Sequence, residues 1–569
     1  MPRGRVAGTT TKANFTNLPR RPSPSIGTFQ RDEHHSKDSK ICTFLQRNEK
    51  RGVLVLQLSQ SNQMKTRSTR TTHALRFLTA LFVAPLATLH AADAPKPNII
   101  FILADDLGWG DLGCYGNPHI RTPNLDALAA AGRLYTQFYV NAPVCSPSRA
   151  ALMTSQFPSR LRVFKSIGED DDEEETGSAK FVDPAVPNMA RILKEQGYAT
   201  AHFGKWHLDG ITDPGAPAIS TYGFDESRAH VATGPNFDKL EKQLPRGESK
   251  NSRSSEWIMN ASLDFLERHN HEPVFMNIWF MVPHSVLLPA KEQRDGYQRY
   301  MSFGRLHDAM VKKGMDGITT PQEMYYPSVT EMDSQIGRLI QKLKEMGTYE
   351  NTILVFSSDN GPESIHVSKA MHSGIGSPGI FRGQKRSLYD GGIRVPFIIS
   401  WPKGGIPRGT VDRELPVSGV DLLPSLLGLA NVARPQELKS DGEDLSAAFK
   451  GQPVSRNKAI FWEYRGKQIG YPLQFSPHLA MRDGPWKLLM NPDGSRLELY
   501  DLQKQLMETD NLAAQFPDVA KRMKASLEDW RKTLPDPDKY FEDTKASGWE
   551  ELLSGGKMPK ARNTEAKRK

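Results

Sequence analysis

The chain has 569 residues, with 74 Lys and Arg against 65 Asp and Glu and a formal charge of +9. That length can bury a large core and build more than one domain, and 38% hydrophobic with 24% charged residues is a globular composition that excludes a disordered or fibrous chain. Residues 1–63 carry +7 and residues 64–91 carry +4, which leaves residues 92–569 at −2, so the basic excess gives no nucleic-acid footprint.

The first elements concern export. From Met64 the chain reads "MKTRSTRTTHALR", then the apolar run "FLTALFVAPLATL" from Phe77 to Leu89, then "HAADA". This is the basic, apolar and small-residue order of a secretory signal. The run is shorter than the ~20 residues that cross a bilayer, and no cysteine stands at the cleavage point for a lipid anchor. Residues 1–63, rich in Ser, Thr, Pro and Arg, read either as a misassigned extension before a start at Met64 or as a disordered tail. Cys42 belongs to that leader, and only Cys114 and Cys145 remain, too few for a disulfide scaffold. A single Cys114–Cys145 bridge is the bland alternative.

The body begins with "PNIIFILADDLG", a buried strand over Asn98–Leu103. "TPNLDALAAAGRLYTQFYV" predicts a helix capped near Thr122 or Asn124. "NAPVCSPSRAALMTS", which contains Cys145, has flanks that read as a loop followed by a helix. The acidic run Gly168–Ser178 reads as a solvated loop rather than a metal site. "NMARILKEQGYATAHFGKWHL" predicts a helix stopped by Gly197 and a strand into Lys205 and His207. "PVFMNIWFMVPH" predicts a strand with His284 just past its end. "YPSVTEMDSQIGRLIQKLKEMG" is a long amphipathic helix, "NTILVFSSDNGPE" a strand ending at Asp359, and "VPFIISWP" one more strand. Alternating helices and continuously apolar strands predict a mostly parallel sheet with helices on both faces. After about residue 435, "AIFWEYRGK", "HLAMRDGPWKLLMNPDG" and "LELYDL" predict short antiparallel strands, with a hairpin at Asn491–Gly494. "FPDVAKRMKASLEDWRKTL" then predicts a closing helix. The expected layout is a leader (1–63), a signal (64–92), a catalytic domain (95–435), a smaller α+β domain (436–545) and a basic disordered tail (546–569).

In such sheets ligands bind beyond the carboxyl ends of the strands. Asp105, Asp106, His207, His284, Asp359 and Asn360 all fall at or after predicted strand ends, so the fold should gather them on one edge. Three carboxylates and an amide oxygen there suit Ca²⁺ or Mg²⁺ better than zinc. Arg149, Lys205, Arg382 and Lys385 are loop cations near the same ends, which suggests an anionic ester, phosphate or sulfate. His207 and His284 are candidates for proton transfer, and His366 and His372 have weaker claims.

"CSPSRAALMTS" resembles the C-x-P-x-R signature of the type I sulfatases. "NIIFILADDLGWGDLGCYG", "GYATAHFGKWHL", "SSDNGP" and "RGQKRSLYDGGIRVPFI" resemble further segments of that family in the same order, and the resemblance runs from Pro97 to Leu534. It implies the alkaline phosphatase-like fold and a cysteine converted to formylglycine, whose hydrate attacks sulfur with one hydroxyl and expels sulfate with the other. It implies calcium held by Asp105, Asp106, Asp359, Asn360 and the converted Cys145. Arg149 and His207 would serve the hydrate, Lys205 and Lys385 would bind the sulfate, and His284 would protonate the leaving alcohol. It also implies a formylglycine-generating maturation enzyme as a partner.

Ser155 stands where the family usually has Gly, "PHSVLLP" is longer than the usual P-H-x-P, and Asp390 stands where Glu is common. The expected activity is hydrolysis of sulfate esters by an exported protein, periplasmic or secreted. "MRDGPWKLLMN" and "GQKRSLYDGGIRVP" resemble enzymes of the arylsulfatase A and N-acetylgalactosamine-6-sulfatase kind, which points to a sulfated carbohydrate. Loops 208–256 and 285–320 would set its identity. A phosphodiesterase or phosphonate hydrolase of the same superfamily, or a silent binding homologue, are the competing readings.

Overall fold

The computed structural model describes residues 95–168, 176–209, 215–230, 250–297, 320–365 and 372–535. The leader, the signal, most of the acidic run, His366 and the basic tail lie outside them. Much of the two loops expected to set the substrate is outside them as well.

The large sheet is built on β1 (Asn98–Ala104), flanked by β5 (Val274–Trp279) and β6 (Thr352–Ser358), both parallel to it. β3 (Ala199–Lys205) and β4 (Glu226–His230) extend the parallel set beyond β5. On the other side β7 (Arg394–Ser400) runs antiparallel to β6 and to β2 (Arg133–Tyr139). β8 (Thr410–Asp412) and β9 (Val417–Ser418) pair with β2 in parallel. The nine strands follow the order β4-β3-β5-β1-β6-β7-β2-β8, with β9 also on β2. The expected mostly parallel sheet is therefore present, with one reversed strand inside it.

Period-two alternation sends Ile99, Phe101 and Leu103 of β1 into one core and Ile100, Ile102 and Ala104 into the other. The second core is covered by α1 (Pro123–Ala131), α4 (Lys250–Arg268) and α5 (Pro321–Glu345). α5 starts at a capping box in which Thr320 Oγ1 accepts from the Glu323 N–H and Glu323 accepts from the Thr320 N–H. The first core is covered by α2 (Cys145–Thr154), α3 (Met189–Glu195) and α6 (Leu422–Leu429). It continues into a four-stranded antiparallel sheet, β10 (Ile460–Glu463), β11 (Leu479–Asp483), β12 (Trp486–Met490) and β13 (Glu498–Asp501), backed by α7 (Pro517–Lys532).

One element differs from the sequence reading. The helix expected over residues 122–140 stops at Ala131, and Arg133–Tyr139 is a strand. Gly132 leaves helical geometry at φ −137°, ψ −149°, and "RLYTQFY" carries aromatic and β-branched residues that fit a pleated surface. The difference matters for function, because β2 runs in the direction of β6. Its carboxyl end therefore delivers the chain to Cys145 on the edge where β1, β3, β5 and β6 also end. A second hairpin joins β11 to β12 through Gly484 and Pro485, with Gly484 at φ +56°. The turn over 491–494 precedes β13, as expected.

Ile102 is fully buried in the central strand, between Ile278 and Phe356. Ile102→Ala is expected to destabilise the protein by about 2–5 kcal/mol, measured as a lower denaturant midpoint at unchanged slope.

Candidate active site

The site lies on that shared edge. β1 runs out at Ala104, and Asp105 and Asp106 follow at once. Asp106 takes φ +66°, a left-handed conformation that Asp adopts more readily than bulkier residues. The end of β6 is tied to the end of β1, since the Asp359 N–H donates to Ala104 O at 3.2 Å and the Asp106 N–H donates to Asp359 Oδ1 at 3.1 Å. Cys145 is the first residue of α2 and is 1% exposed. One oxygen each from Asp105, Asp106 and Asp359, together with Cys145 Sγ, lie within 4.8 Å of one another.

Three buried cations face these three carboxylates. Arg149, one turn along α2 from Cys145, donates to Asp359 Oδ2 from Nε at 2.9 Å and from Nη2 at 2.6 Å. Its Nη1 donates to Lys205 O at 2.7 Å, and its guanidinium lies 5.1 Å from the Trp279 ring. Lys205, the last residue of β3, donates to Asp105 Oδ2 at 2.7 Å and reaches Cys145 Sγ at 3.3 Å. Lys385 donates to Asp106 Oδ2 at 2.8 Å and lies 3.6 Å from Cys145 Sγ. Lys385 precedes a strand rather than following one. It reaches the site because β7 is reversed, which places its amino end on the common edge.

The electrostatics follow from burial and these pairs. Burial alone would raise the pKa of Asp105, but Lys205, His284 and Arg149 overcome it and hold the carboxyl below the usual range. Asp106 is likewise lowered, with Lys385 the largest counterweight to burial. Asp359 is raised, because burial and the Asp105 and Asp106 charges outweigh Arg149. Burial pushes the Cys145 thiol well above its ordinary value against the pull of Lys205 and Lys385. The thiol therefore stays protonated and is a poor nucleophile as it stands. Cys114 and Cys145 are both unpaired, so the alternative bridge is not formed.

Both histidines are at the site with assignable tautomers. His207 Nε2 donates to Ile167 O at 3.1 Å, which leaves buried Nδ1 as a bare acceptor without a hydrogen-bond partner. Burial, Lys205 and Arg149 hold its pKa well below the usual value, so the ring is neutral. Its backbone sits at φ +57°, a costly conformation for a bulky side chain and one that clusters at functional sites. His284 Nδ1 donates to Ser285 O at 2.6 Å, and Nε2 lies 3.8 Å from Asp106 Oδ2, with the side chain 30% exposed.

The donors fit a hard divalent cation. Asn360 Nδ2 donates to Asp106 Oδ1 at 2.6 Å and to Gly361 O at 2.8 Å, while its Oδ1 is buried without a hydrogen-bond partner beside the carboxylates. An orphaned amide oxygen next to a carboxyl with raised proton affinity is what a cation would relieve.

One cation that the sequence placed near the strand ends, Arg382, is directed elsewhere. Arg382 stacks on Tyr389 at 3.8 Å and donates to Leu473 O and Glu508 O, both at 2.9 Å, so it is committed to the C-terminal segment. His372, the weaker histidine candidate, begins the turn over residues 372–375. One residue was missed. Glu363, 2% exposed, holds Arg386 at 2.6 Å and lies 3.9 Å from Lys385. The only signal for it was its place in "SDNGPE".

Arg149→Met leaves Asp359 buried without its counterion and is expected to destabilise the protein by about 3–5 kcal/mol, read by chemical denaturation at neutral pH. Arg149→Lys should recover little of this, since one ammonium cannot replace three directed donors.

The family model for sulfatases matches residues 97–432, and the model for the N-sulphoglucosamine sulphohydrolase C-terminal region matches residues 376–533. Human arylsulfatase A is 31% identical over 409 residues, covering 71% of this chain and 76% of the human protein. The N-acetylgalactosamine-6-sulfatase of Canis lupus familiaris is 33% identical over 418 residues, covering 68% and 72%. The solved structure of Ps i-CgsB in complex with k-i-k-neocarrahexaose is similar at a TM-score of 0.62 and 25% identity, covering 82% of this chain and 98% of that one.

Proposed function

The chain belongs to the sulfatase family and is a sulfuric ester hydrolase; we propose that it is exported and removes sulfate from a carbohydrate, using formylglycine made from Cys145 and a bound calcium ion. The observation that carries this reading is the position of Cys145, a protonated and nearly inaccessible thiol between two lysine ammoniums and three carboxylates. A thiol so placed is unsuited to act as a thiolate, and conversion to an aldehyde would make residue 145 an oxygen donor and a reactive centre. The sugar substrate is supported by the N-acetylgalactosamine-6-sulfatase relatives and by the neocarrahexaose bound to Ps i-CgsB. Export is supported by the signal-like segment over residues 64–92. No helix among the described residues is long and apolar enough to cross a membrane.

Asp105, Asp106, Asp359, Asn360 and residue 145 would hold the calcium, which supplies charge to polarise the sulfate and acidify the nucleophile. The hydrated formylglycine would supply a nucleophilic hydroxyl and a second hydroxyl through which sulfate is released.

The remaining roles fall to ordinary side chains. Lys205 and Lys385 flank residue 145 and would neutralise the sulfate oxygens. Arg149 fixes Asp359 and the carbonyl end of β3 beside them. His207 is neutral with Nδ1 bare, so it would accept the proton given up as sulfate is expelled. His284 stands at the more exposed side; with Nδ1–H held by Ser285 O, it would act as an imidazolium, giving the leaving alcohol the second proton from Nε2 and returning to the neutral ring. One ring is sealed in the protein and the other is open to water, and such unlike environments divide base work from acid work.

In protein made with a formylglycine-generating enzyme, the peptide containing residue 145 should weigh about 18 Da less than the thiol form. That protein should hydrolyse sulfate esters of sugars, and a phosphonate monoester more slowly. Cys145→Ala should lower kcat/KM by at least about a thousand-fold, Lys385→Ala by about a hundred-fold, and EGTA should abolish activity until calcium is restored. An unmodified Cys145 in active enzyme would overturn the mechanism.

A further inference from the structure

A second set of buried charges lies outside the site. Lys487 on β12, Asp390 in the turn before β7 and Glu508 in the segment after β13 are all fully buried. Lys487 Nζ is 2.8 Å from Asp390 Oδ1 and 2.8 Å from Glu508 Oε1. Asp390 Oδ2 accepts from the Tyr139 hydroxyl at 2.8 Å and pairs with Arg394 at 3.2 Å. The Asp390 N–H donates to Glu508 Oε2 at 2.6 Å. Glu508 is itself held at φ +51°, with its carbonyl accepting from Arg382.

The turn these charges grip packs directly on the site. The Gly391 N–H donates to Arg382 O at 2.7 Å, closing the loop that carries Lys385. The Gly361 N–H, next to Asn360, donates to Gly392 O at 2.9 Å. A Cβ on Gly361 would lie 2.0 Å from Gly391 O, so the two segments meet backbone to backbone with no slack. Displacing the Asp390–Gly392 turn must therefore move the base of the Lys385 loop.

We propose that Glu508 and Lys487, both from the C-terminal sheet region, are positioning residues for the sulfatase reaction: they hold the Asp390–Gly392 turn and thereby set where Lys385 stands against residue 145. The role presupposes the sulfatase chemistry proposed for that site. Stability alone is a weak reason for such a cluster, because well-packed apolar residues commonly do as well as a buried ion set. The link to the Lys385 loop supplies a reason for keeping the charges.

The cluster also contains a group that titrates near neutrality. Burial, with Asp390 adding and Lys487 opposing, pushes Glu508 up to about 7. Asp390, where Lys487 and Arg394 outweigh burial, is held at about 2. The groups facing Glu508 are Lys487 from β12, Asp390 from the turn, Tyr500 from β13 and Arg382 at its carbonyl. Ionised Glu508 makes a charge-assisted bond to the Asp390 N–H, and protonation weakens it. The folded value lies above the ordinary 4.5, so the stability Glu508 contributes is full below that pH and is lost as pH rises through about 7. The form that grips the turn best is the one that costs stability.

The test compares the wild type with Glu508→Gln, both carrying converted residue 145, on one sulfate ester. The ratio of their kcat/KM values should rise from about 1 below pH 6 to about 10 above pH 8. The thermal midpoint of the Gln variant should gain on the wild type as pH rises from about 4.5 to about 7. Glu508→Asp, which keeps a titratable carboxylate and serves if the Gln variant folds poorly, should retain the pH step in its own kcat/KM. A ratio near 1 at every pH would show that Glu508 does not position the site. A constant deficit without a pH step would reduce Glu508 to a structural role. Either result overturns the inference in an active enzyme. A converted wild type that hydrolyses no sulfate ester overturns the functional reading and this inference together.

Discussion

Three carboxylates and three cations share a space of a few ångströms at the edge of the large sheet, almost wholly out of water. Removing each such charge from solvent costs several kcal/mol unless a partner stands in hydrogen-bonding reach. That condition governs the architecture. Asp105 and Asp106 must follow β1, Asp359 must follow the neighbouring β6, and Lys205 must end β3, because parallel strands bring their carboxyl ends to one edge. Arg149 must sit one turn from Cys145 on α2, so that the helix carrying the thiol also carries the counterion for Asp359. The reversed β7 completes the set by bringing Lys385 in from the opposite chain direction.

The small antiparallel sheet belongs to the same network of charge. Its Lys487 enters the protein beneath the turn that leads into β7, and the segment after β13 adds Glu508. One apolar core runs from the large sheet into the small one, so the two are not independent supports. The rear of the Lys385 loop is held through Asp390 by Glu508, 118 positions further along the chain, and its front faces residue 145.

The sequence reveals most of the site because strand-end chemistry is local. An apolar run that stops at "ADD" or "SDN" announces both the strand and the acids beyond it. The carboxylates, the lysines, Arg149 and both histidines are therefore legible from short motifs, and the structure brings them together. What is not legible depends on pairing between distant segments. "RLYTQFY" follows a good helix with only Gly132 between, and its strand character comes from lying beside β7, which is far along the chain. The direction of β7 is equally silent, since buried strands of either orientation read as apolar runs. Arg382 looked like a site cation because it is close to Lys385 in sequence. Its side chain turns the other way, onto Tyr389 and the C-terminal segment. Ser155, where the related family usually has Gly, sits at φ +59° at the end of α2. There its hydroxyl bonds Val420 O and Ser440 Oγ, a local compensation for a conformation that glycine adopts freely.

The burial of Cys145 has a consequence in time. The loop before it is sealed by the Arg386 N–H, which donates to Pro143 O at 2.9 Å, and the seal depends on the segment that leads into β7. An enzyme that converts Cys145 to formylglycine would have to reach it while the chain is still open. About 250 residues separate Cys145 from β7, and at about 5–20 residues per second the ribosome takes roughly 10–50 s to make them. With the sealing segment late in the chain, such an enzyme would have that interval. The order of the strands in the gene would then act as a clock on any such conversion of the site they later enclose.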